Sequence, residues 1–282
     1  MSSKEWKAYL DLGFSSYQNK STVLSYRNHK GPVLVQRPLY PEGRHICHVA
    51  MLHPPGGIAG GDSIRITVKV EPGAHATLTT PGATRWYKAN GQASAQRSRL
   101  DVAAGSKLDW LPMENIFFDE TDAFSETDVR LESGACAIGW DVAQLGRVNQ
   151  DGNWRSGTAQ IRTKITVDDR LFWIEQGKID AKSNKRNNVA GWAGYPVTAT
   201  LWCFGPTLPD SETEALTAAM PWNDHMRAAL AVLPYQDSQS LYVVKGLAVH
   251  LEDLMGILVE AWYFLRERVL GTPGTELRLW RT

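Results

Sequence analysis

The sequence has neither an excess of charge of one sign nor a long apolar run. Its 282 residues include 30 basic and 30 acidic side chains, so no overall field favours nucleic acid or an anionic membrane. The most apolar late stretch, residues 254–265, contains Glu260 and is too short to cross a bilayer. The opening residues, MSSKEWKAYLDLG, lack the basic and apolar segments of a secretory signal. We therefore expect no nucleic-acid partner and no membrane partner.

Cysteine is also scarce. Cys47, Cys136 and Cys203 are isolated, odd in number and outside any CxxC pair, which is typical of a chain in the reducing cytoplasm. The GxSxG, HExxH, EF-hand and zinc-deaminase patterns are missing as well. None of the common catalytic motifs therefore points to an enzyme.

Alternating apolar and polar residues are present through the first two thirds of the chain. Between positions 64 and 70, isoleucine and valine alternate with arginine, threonine and lysine, which predicts a strand with one buried face. The same alternation recurs at residues 75–79, 95–102, 107–111, 161–167 and 171–174. We therefore predict β structure over this region.

A weak repeat runs through these strands. The segments VEPGAHATL, VAAGSKLDW and LESGACAIG each place a glycine after a strand, at Gly73, Gly105 and Gly134, spaced by 32 and 29 positions. Such glycines suit tight turns with positive φ, and a period near thirty indicates stacked strand layers. VDDRLFW, from Val167, is a candidate fourth copy. The alternative is a chance recurrence of a common strand–glycine–strand pattern.

The last third of the chain has helical patterns. Helices are predicted at residues 211–220, 223–233 and 251–270, the last with an apolar stripe that should face the core. Residues 182–194 are polar and glycine-containing, which predicts an exposed loop. We therefore predict a mainly β fold, a layered, β-solenoid-like or sandwich-like arrangement of strands with a few C-terminal helices. Residues 1–205 would form its body, and residues 206–282 a smaller helix-containing part packed on it as one continuous unit.

The loop HPPGGIAGGD, residues 53–62, resembles a phosphate cradle only superficially. Its glycines do not form GxGxxG, no Lys-Ser/Thr pair follows, and it leads into a strand, not a helix N-terminus. Two prolines and four glycines instead suit a tight segment that passes close to another backbone. Asp62 at its end either caps the turn or presents a carboxylate to a site.

Three groups of side chains are candidates for metal or partner binding. His45, Cys47, His48 and His53 are close in sequence, but on a strand they would not all share one face. The acidic stretch FDETDAFSETD, residues 118–128, is expected to be a solvated hairpin loop, with a cation or basic-partner site as the lesser alternative. Glu114, Asp141 and Glu175 lie beside large apolar residues, where a carboxylate must be paired, exposed or facing a wet cavity.

Several motifs together resemble the urease accessory protein family UreD, also called UreH. They are, in order, QRPLYPEG at 36–43, HPPGGIAGGD at 53–62, TTPGATRWYK at 79–88, LDWLPMENIFF at 108–118, WDVAQLGR at 140–147 and LRLWRT at 277–282. The resemblance covers essentially the whole chain, except that residues 182–194 and 209–225 align poorly. Partner contacts in those two segments are therefore not predicted.

The resemblance implies a urease maturation factor, not an enzyme. Members of the family bind apo-urease subunits and, with UreF and the GTPase UreG, load nickel into the urease active site. The family fold is β-rich, and it is thought to provide an internal passage for nickel. The resemblance implies no tightly bound cofactor, with Ni²⁺ only in transit, and it leaves open whether the chain is dimeric within the accessory complex.

A passage for Ni²⁺ should be wet and lined by oxygen and nitrogen ligands that never complete a tight site. The hypothesis is that Asp62, Asp141 and Glu175 line it, with Glu114 and Arg147 as weaker candidates. The alternative is a stand-alone metallohydrolase that uses the cluster between His45 and His53.

Overall fold

The computed structural model describes residues 6–18, 20–146, 154–236 and 238–281. The first nine strands in these ranges are β1 (Lys7–Tyr17), β2 (Ser21–Lys30), β3 (Leu34–Val35), β4 (Ile46–Leu52), β5 (Ser63–Val70), β6 (His75–Thr79), β7 (Thr84–Trp86), β8 (Ser94–Val102) and β9 (Lys107–Leu111). The later strands are β10 (Asn115–Phe117), β11 (Thr121–Leu131), β12 (Cys136–Leu145), β13 (Gly157–Val167), β14 (Arg170–Asp180), β15 (Val197–Pro206), β16 (Met226–Tyr235) and β17 (Gln239–Ala248). The helices are α1 (Asp210–Ala218), α2 (Leu251–Val269) and two short 3₁₀ helices, Asn184–Asn187 and Arg278–Arg281.

The strands form two sheets that face each other. Sheet I has the order β14-β13-β11-β8-β5-β1-β2, and sheet II has the order β16-β17-β15-β12-β9-β6-β4-β3. Strand β10 also pairs with β12, and β7 pairs with β10. Pairing is parallel from β1 to β13 in sheet I and from β4 to β12 in sheet II, whereas the outer strands pair antiparallel. A parallel centre with antiparallel ends indicates a short stack of coils closed by hairpins.

The predicted thirty-residue repeat is confirmed as the unit of this stack. Each copy crosses from sheet I to sheet II, as β5 to β6, β8 to β9 and β11 to β12. The turn glycines Gly73, Gly105 and Gly134 have φ of 76°, 70° and 87°, a left-handed conformation that glycine adopts without a Cβ clash. The suggested fourth copy is wrong, because at Asp168 and Asp169 the chain folds back into the hairpin β13–β14 within sheet I. The mainly β, layered fold is therefore confirmed.

The C-terminal third is more β-rich than predicted. The helices predicted at 211–220 and 251–270 are confirmed as α1 and α2. The helix predicted at 223–233 is wrong, because this segment is mostly strand β16, which pairs with β17 along its whole length. A short apolar segment fits either periodicity, and pairing with a neighbouring strand decided this one. Strands β16 and β17 continue sheet II beyond β15, which ends at Pro206.

The acidic stretch is also not a hairpin loop. Most of it is β11, a central strand of sheet I, and only Asp119 and Glu120 lie in the turn before it. The outward carboxylate of Glu126 contacts arginines of both neighbouring strands, Arg97 and Arg162. These acids therefore belong to charge ladders across the outer face of sheet I, where opposite charges on adjacent strands stabilise the sheet modestly.

Two apolar cores hold the layers together. The larger fills the space between the sheets and includes Leu10, Val68, Leu100 and Val129. The second lies between sheet II and α2, where Leu254, Leu258, Trp262, Leu265 and Val269 of the helix are buried, so the predicted core-facing stripe is confirmed. Among the described residues, none of the helices combines the length and apolar character of a membrane span.

The predicted loop at 182–194 is confirmed as an irregular segment around the first 3₁₀ helix. Most of its side chains are exposed, and Val189 is 84% exposed. Trp192, in contrast, is buried and packs into the apolar core between the sheets.

Candidate functional site

Three sequence motifs that lie apart along the chain surround one cavity. The cavity has a volume of about 290 Å³. The first motif contributes His53, Gly56 and Gly57, the second contributes residues 80–85, and the third contributes residues that include Trp110 and Asn115. The buried indole Nε1 of Trp110 has no hydrogen-bond partner among the described residues. A roomy cavity of mixed polar and apolar lining, with an unpaired donor among its residues, is suited to hold water or a polar solute.

The glycines of residues 53–62 allow the loop to pack against the backbone of the second motif. The amide of Ile58 donates to the carbonyl of Arg85 at 2.7 Å, and the amide of Tyr87 donates to the carbonyl of Ile58 at 2.8 Å. A Cβ on Gly60 would lie 1.7 Å from the carbonyl oxygen of Ala89, which no side chain tolerates. The close backbone approach predicted from the sequence therefore fixes one wall of the cavity.

We expect Gly60→Ala to destabilise the chain by about 3 kcal/mol, because the loop must move away from Ala89 to admit a methyl group. Gly82→Ala is the matched control in the adjacent loop, since its added Cβ would meet no atom within 4 Å and its φ is not positive. That control should leave the free energy of unfolding unchanged or raise it by about 0.5 kcal/mol. Denaturant unfolding of both variants measures the difference, and equal stabilities would contradict the close approach.

Strand register places a row of polar side chains on the inner face of each sheet. In sheet I, Ser98 pairs with Thr127, Thr127 with Thr163, and Thr163 with Glu175 across β8, β11, β13 and β14. In sheet II, Asp141 pairs with Thr200, and Thr200 with Lys245, across β12, β15 and β17. We call these seven residues the polar rows. Inward positions of a sandwich are usually apolar, so two facing polar rows are unusual and suggest a site.

Hydrogen bonds join the two rows. The Asp141 carboxylate accepts the hydroxyls of Thr127 at 2.8 Å and Thr163 at 2.7 Å. The Glu175 carboxylate accepts the hydroxyl of Thr200 at 2.6 Å and is paired with the Lys245 ammonium. Both carboxylates are thereby oriented by groups from the opposite sheet.

Asp141 lies where two cavities meet. A second cavity of about 50 Å³ lies between β14 and strands β15 and β17, and its lining includes Glu175, Thr200 and Lys245. Asn115 and Asp141 line both cavities. The two side chains therefore stand between a larger chamber at the glycine loop and a smaller one that ends at Glu175.

Burial shifts the pKa of two groups that line these cavities, Asp141 and His53. It raises the pKa of Asp141, the threonine hydroxyls oppose that rise, and the charge of Glu175 adds to it. Burial lowers the pKa of His53, against a smaller opposing effect of Asp62, so the imidazole is neutral and free to act as a ligand. A desolvated carboxylate and a neutral imidazole are both groups that can bind a divalent cation.

The structure brings together two of the candidate site residues, Asp141 and Glu175. Asp62 instead caps its own turn, where its carboxylate accepts the amides of Ala59 at 2.9 Å and Trp6 at 3.3 Å, and it is not among the residues that line these two cavities. Glu114 does not line them either. It is buried, which raises its pKa, and its Oε2 has no hydrogen-bond partner among the described residues. Arg147 lies outside the described residues.

The candidate metal cluster at residues 45–53 does not form. His45 is exposed, Cys47 is buried in the core, His48 shares a hydrogen bond of 2.7 Å with Glu42, and His53 lines the larger cavity. In the part of the chain that the structure describes, no three or more His, Cys, Asp or Glu side chains are grouped to hold a metal ion. The prediction of a metal site formed by these residues, which the metallohydrolase alternative requires, is therefore wrong.

A second polar cluster, buried between sheet II and α2, was not predicted from the sequence. Arg266 of α2 donates to Asp109 of β9 at 2.9 Å and to both oxygens of Glu42, at 2.7 and 2.9 Å. Asp109 also accepts Trp262 Nε1 at 3.0 Å and contacts His75 Nε2 at 2.8 Å. We call Glu42, His48, His75, Asp109 and Arg266 the buried ionic cluster.

The electrostatics of the buried ionic cluster favour fully charged carboxylates. Burial alone would raise the pKa of Glu42, but hydrogen bonds from His48 and Arg266 outweigh it and lower that pKa to about 2. Burial alone would also raise the pKa of Asp109, but the charge of Arg266 and the hydrogen bond with His75 outweigh it and lower that pKa. Burial lowers the pKa of His75, which therefore stays neutral. The cluster is saturated with internal partners, so it serves to fasten α2 to the sheets.

Comparison with known proteins gives a consistent result over nearly the whole chain. Residues 7–281 match the family model described as UreD urease accessory protein. A urease accessory protein UreD of Bordetella pertussis is 53% identical over 278 residues, which cover 99% of this chain and 98% of the relative. Proteins of the same name from Delftia acidovorans and Cupriavidus metallidurans are each 43% identical, and the alignments cover 98% of this chain and 95% of each relative.

Proposed function

The chain belongs to the UreD family of urease accessory proteins, and we propose that it passes Ni²⁺ through its two inter-sheet cavities to apo-urease. Its general role is thus in urease maturation, as an accessory protein and not as an enzyme. The ion is cargo in this proposal, and the chain has no tightly bound cofactor.

The observation that carries the proposal is the position of Asp141 between the two cavities. Nickel binds imidazole nitrogen and carboxylate oxygen, and His53, Asp141 and Glu175 present these groups at three successive points along the cavities. Among the residues that the structure describes, no one of these points offers a full set of ligands, so an ion would be held weakly at each. Weak, multiple sites allow an ion to enter and also to leave.

The partners follow from the same role. We propose that UreF and the GTPase UreG deliver the ion and that the urease apoprotein receives it, all in the cytoplasm. GTP hydrolysis belongs to UreG in this scheme, since the present sequence contains no GxxxxGK[ST] phosphate-binding loop. The chain acts as a scaffold that joins donor and acceptor.

Reconstitution tests this proposal. Apo-urease is incubated with Ni²⁺, bicarbonate, UreF and UreG, with and without the full chain, and urease activity is measured after removal of free metal. We expect activation to require the chain and the chain to co-purify with urease subunits while retaining well under one equivalent of nickel. Equal activation with and without the chain would refute the proposal.

A further inference from the structure

Lys245 places a positive charge at the end of the polar rows that lies near the edge of the sheets. Its ammonium donates to the Glu175 carboxylate and, at 2.8 Å, to the Thr200 hydroxyl. Thr200 lies between Lys245 and Asp141 in the strand register, so the ammonium is two strands from the Asp141 carboxylate. All four side chains line the smaller cavity. The cavity thus contains two carboxylates and an ammonium that neutralises one of them.

The oxygens that hold this ammonium are also the oxygens that would hold a metal ion. A carboxylate and a hydroxyl from adjacent strands, with a second carboxylate nearby, suit a divalent cation, which would balance the two negative charges. With the ammonium in place, the two carboxylates and the ammonium carry one net negative charge. The ammonium also repels an entering divalent cation. Lys245 and a divalent ion therefore compete for the same position.

The Lys245 side chain is able to leave that position. It is 41% exposed and its partner Glu175 is 35% exposed, so the pair lies at the edge of the sandwich. An ion pair with this exposure is worth at most about 1 kcal/mol, and the four-carbon stem of lysine allows the ammonium to move into solvent. Little free energy therefore separates the arrangement in which the ammonium contacts Glu175 from one in which it extends into solvent.

We propose that Lys245 is a displaceable internal counter-ion that closes the Glu175 end of the passage until a divalent cation replaces it. The inference rests on the proposed function and adds its regulation. While the ammonium contacts Glu175, the passage does not trap a divalent ion at this end. An ion that arrives displaces the ammonium, and the ammonium returns to Glu175 when the ion leaves. The other reading is a purely structural ion pair that joins β14 to β17.

Direct nickel binding separates these two readings. Equilibrium dialysis of the purified full chain with Ni²⁺ alone should show that Lys245→Met binds about one equivalent at least tenfold more tightly than the parent chain, since a close positive charge has been removed. Lys245→Arg, which keeps the charge, should bind no better than the parent chain. Adding Glu175→Gln to Lys245→Met should abolish the gain. Lys245→Gln serves as a second charge-free variant if Lys245→Met fails to fold.

An unchanged nickel affinity in folded Lys245→Met or Lys245→Gln would overturn the inference. If these variants also unfold more easily than the parent chain, the contact between Lys245 and Glu175 is a purely structural ion pair. This outcome is distinct from failure of the proposed function. If the gain in binding is present but urease activation does not depend on the chain, the passage to urease is refuted. If activation depends on the chain but no gain occurs, only the role of Lys245 is refuted.

Discussion

Replacing Arg266 with methionine should lower the free energy of unfolding by about 4 kcal/mol. The substitution leaves the carboxylates of Glu42 and Asp109 buried without their guanidinium partner, and breaking a buried ion pair from one side costs about 3–5 kcal/mol. Methionine keeps most of the apolar volume, so the loss reports charge and hydrogen bonding more than packing. Because Arg266 joins α2 to β9 and to the segment that carries Glu42, the helix should detach first.

Arg268→Met provides the matched control for this prediction. Arg268 lies two residues later on α2, is exposed, and pairs with Glu212 at 3.2 Å. Its replacement should cost no more than about 1 kcal/mol. Denaturant unfolding followed by circular dichroism measures both variants. Similar losses for Arg266→Met and Arg268→Met would show that the buried ionic cluster is not a special source of stability.

The coil architecture was predictable because its signals are local. Alternating residues identify the strands, and Gly73, Gly105 and Gly134 mark turns that recur at a near-constant interval. The stripe of α2 is equally local. The buried ionic cluster has no such signal, because Arg266 meets Asp109 and Glu42 across 157 and 224 residues of sequence. A single sequence shows each of these charges only as an ordinary polar residue.

The sequence predicts a loop where the structure has strand β11, because both faces of this strand carry polar residues. Its outward positions carry Asp122, Glu126 and Asp128, and its inward positions include Ser125 and Thr127. Polar residues on both faces remove the alternation by which strands are recognised. The hydroxyls of Ser125 and Thr127 belong to the cavity wall, and departures from the expected apolar pattern are typical of functional sites.

The candidate site was only partly predictable. Carboxylates beside large apolar neighbours drew attention to Asp141 and Glu175, and the structure places both on the smaller cavity. The same reasoning included Glu114, which lies off both cavities. Thr200 and Lys245 gave no signal, because threonine and lysine are common on strands and their meeting depends on the register of β15 and β17. Strand register within each sheet and hydrogen bonds between the sheets, not local composition, bring the residues of the candidate site together.

Asp141→Asn should separate function from stability. The amide has the shape of the carboxyl group, so hydroxyls at Thr127 and Thr163 keep a partner, but the negative charge is lost. Burial raises the pKa of Asp141, which means that the folded chain disfavours the ionised form relative to the unfolded chain. A neutral side chain removes that cost at neutral pH. The free energy of unfolding should therefore be unchanged or higher.

Nickel-dependent activation of urease by Asp141→Asn should nonetheless fall at least about tenfold, because the point between the two cavities no longer attracts a cation. Asp122→Asn is the matched control, since Asp122 also accepts a threonine hydroxyl, from Thr158 at 2.7 Å, but lies exposed on the outer face of sheet I. That control should activate urease like the parent chain. Full activation by Asp141→Asn would exclude a cation path between these cavities. Loss of activation, in a variant that keeps its stability and its binding to urease, would assign the defect to passage of the ion.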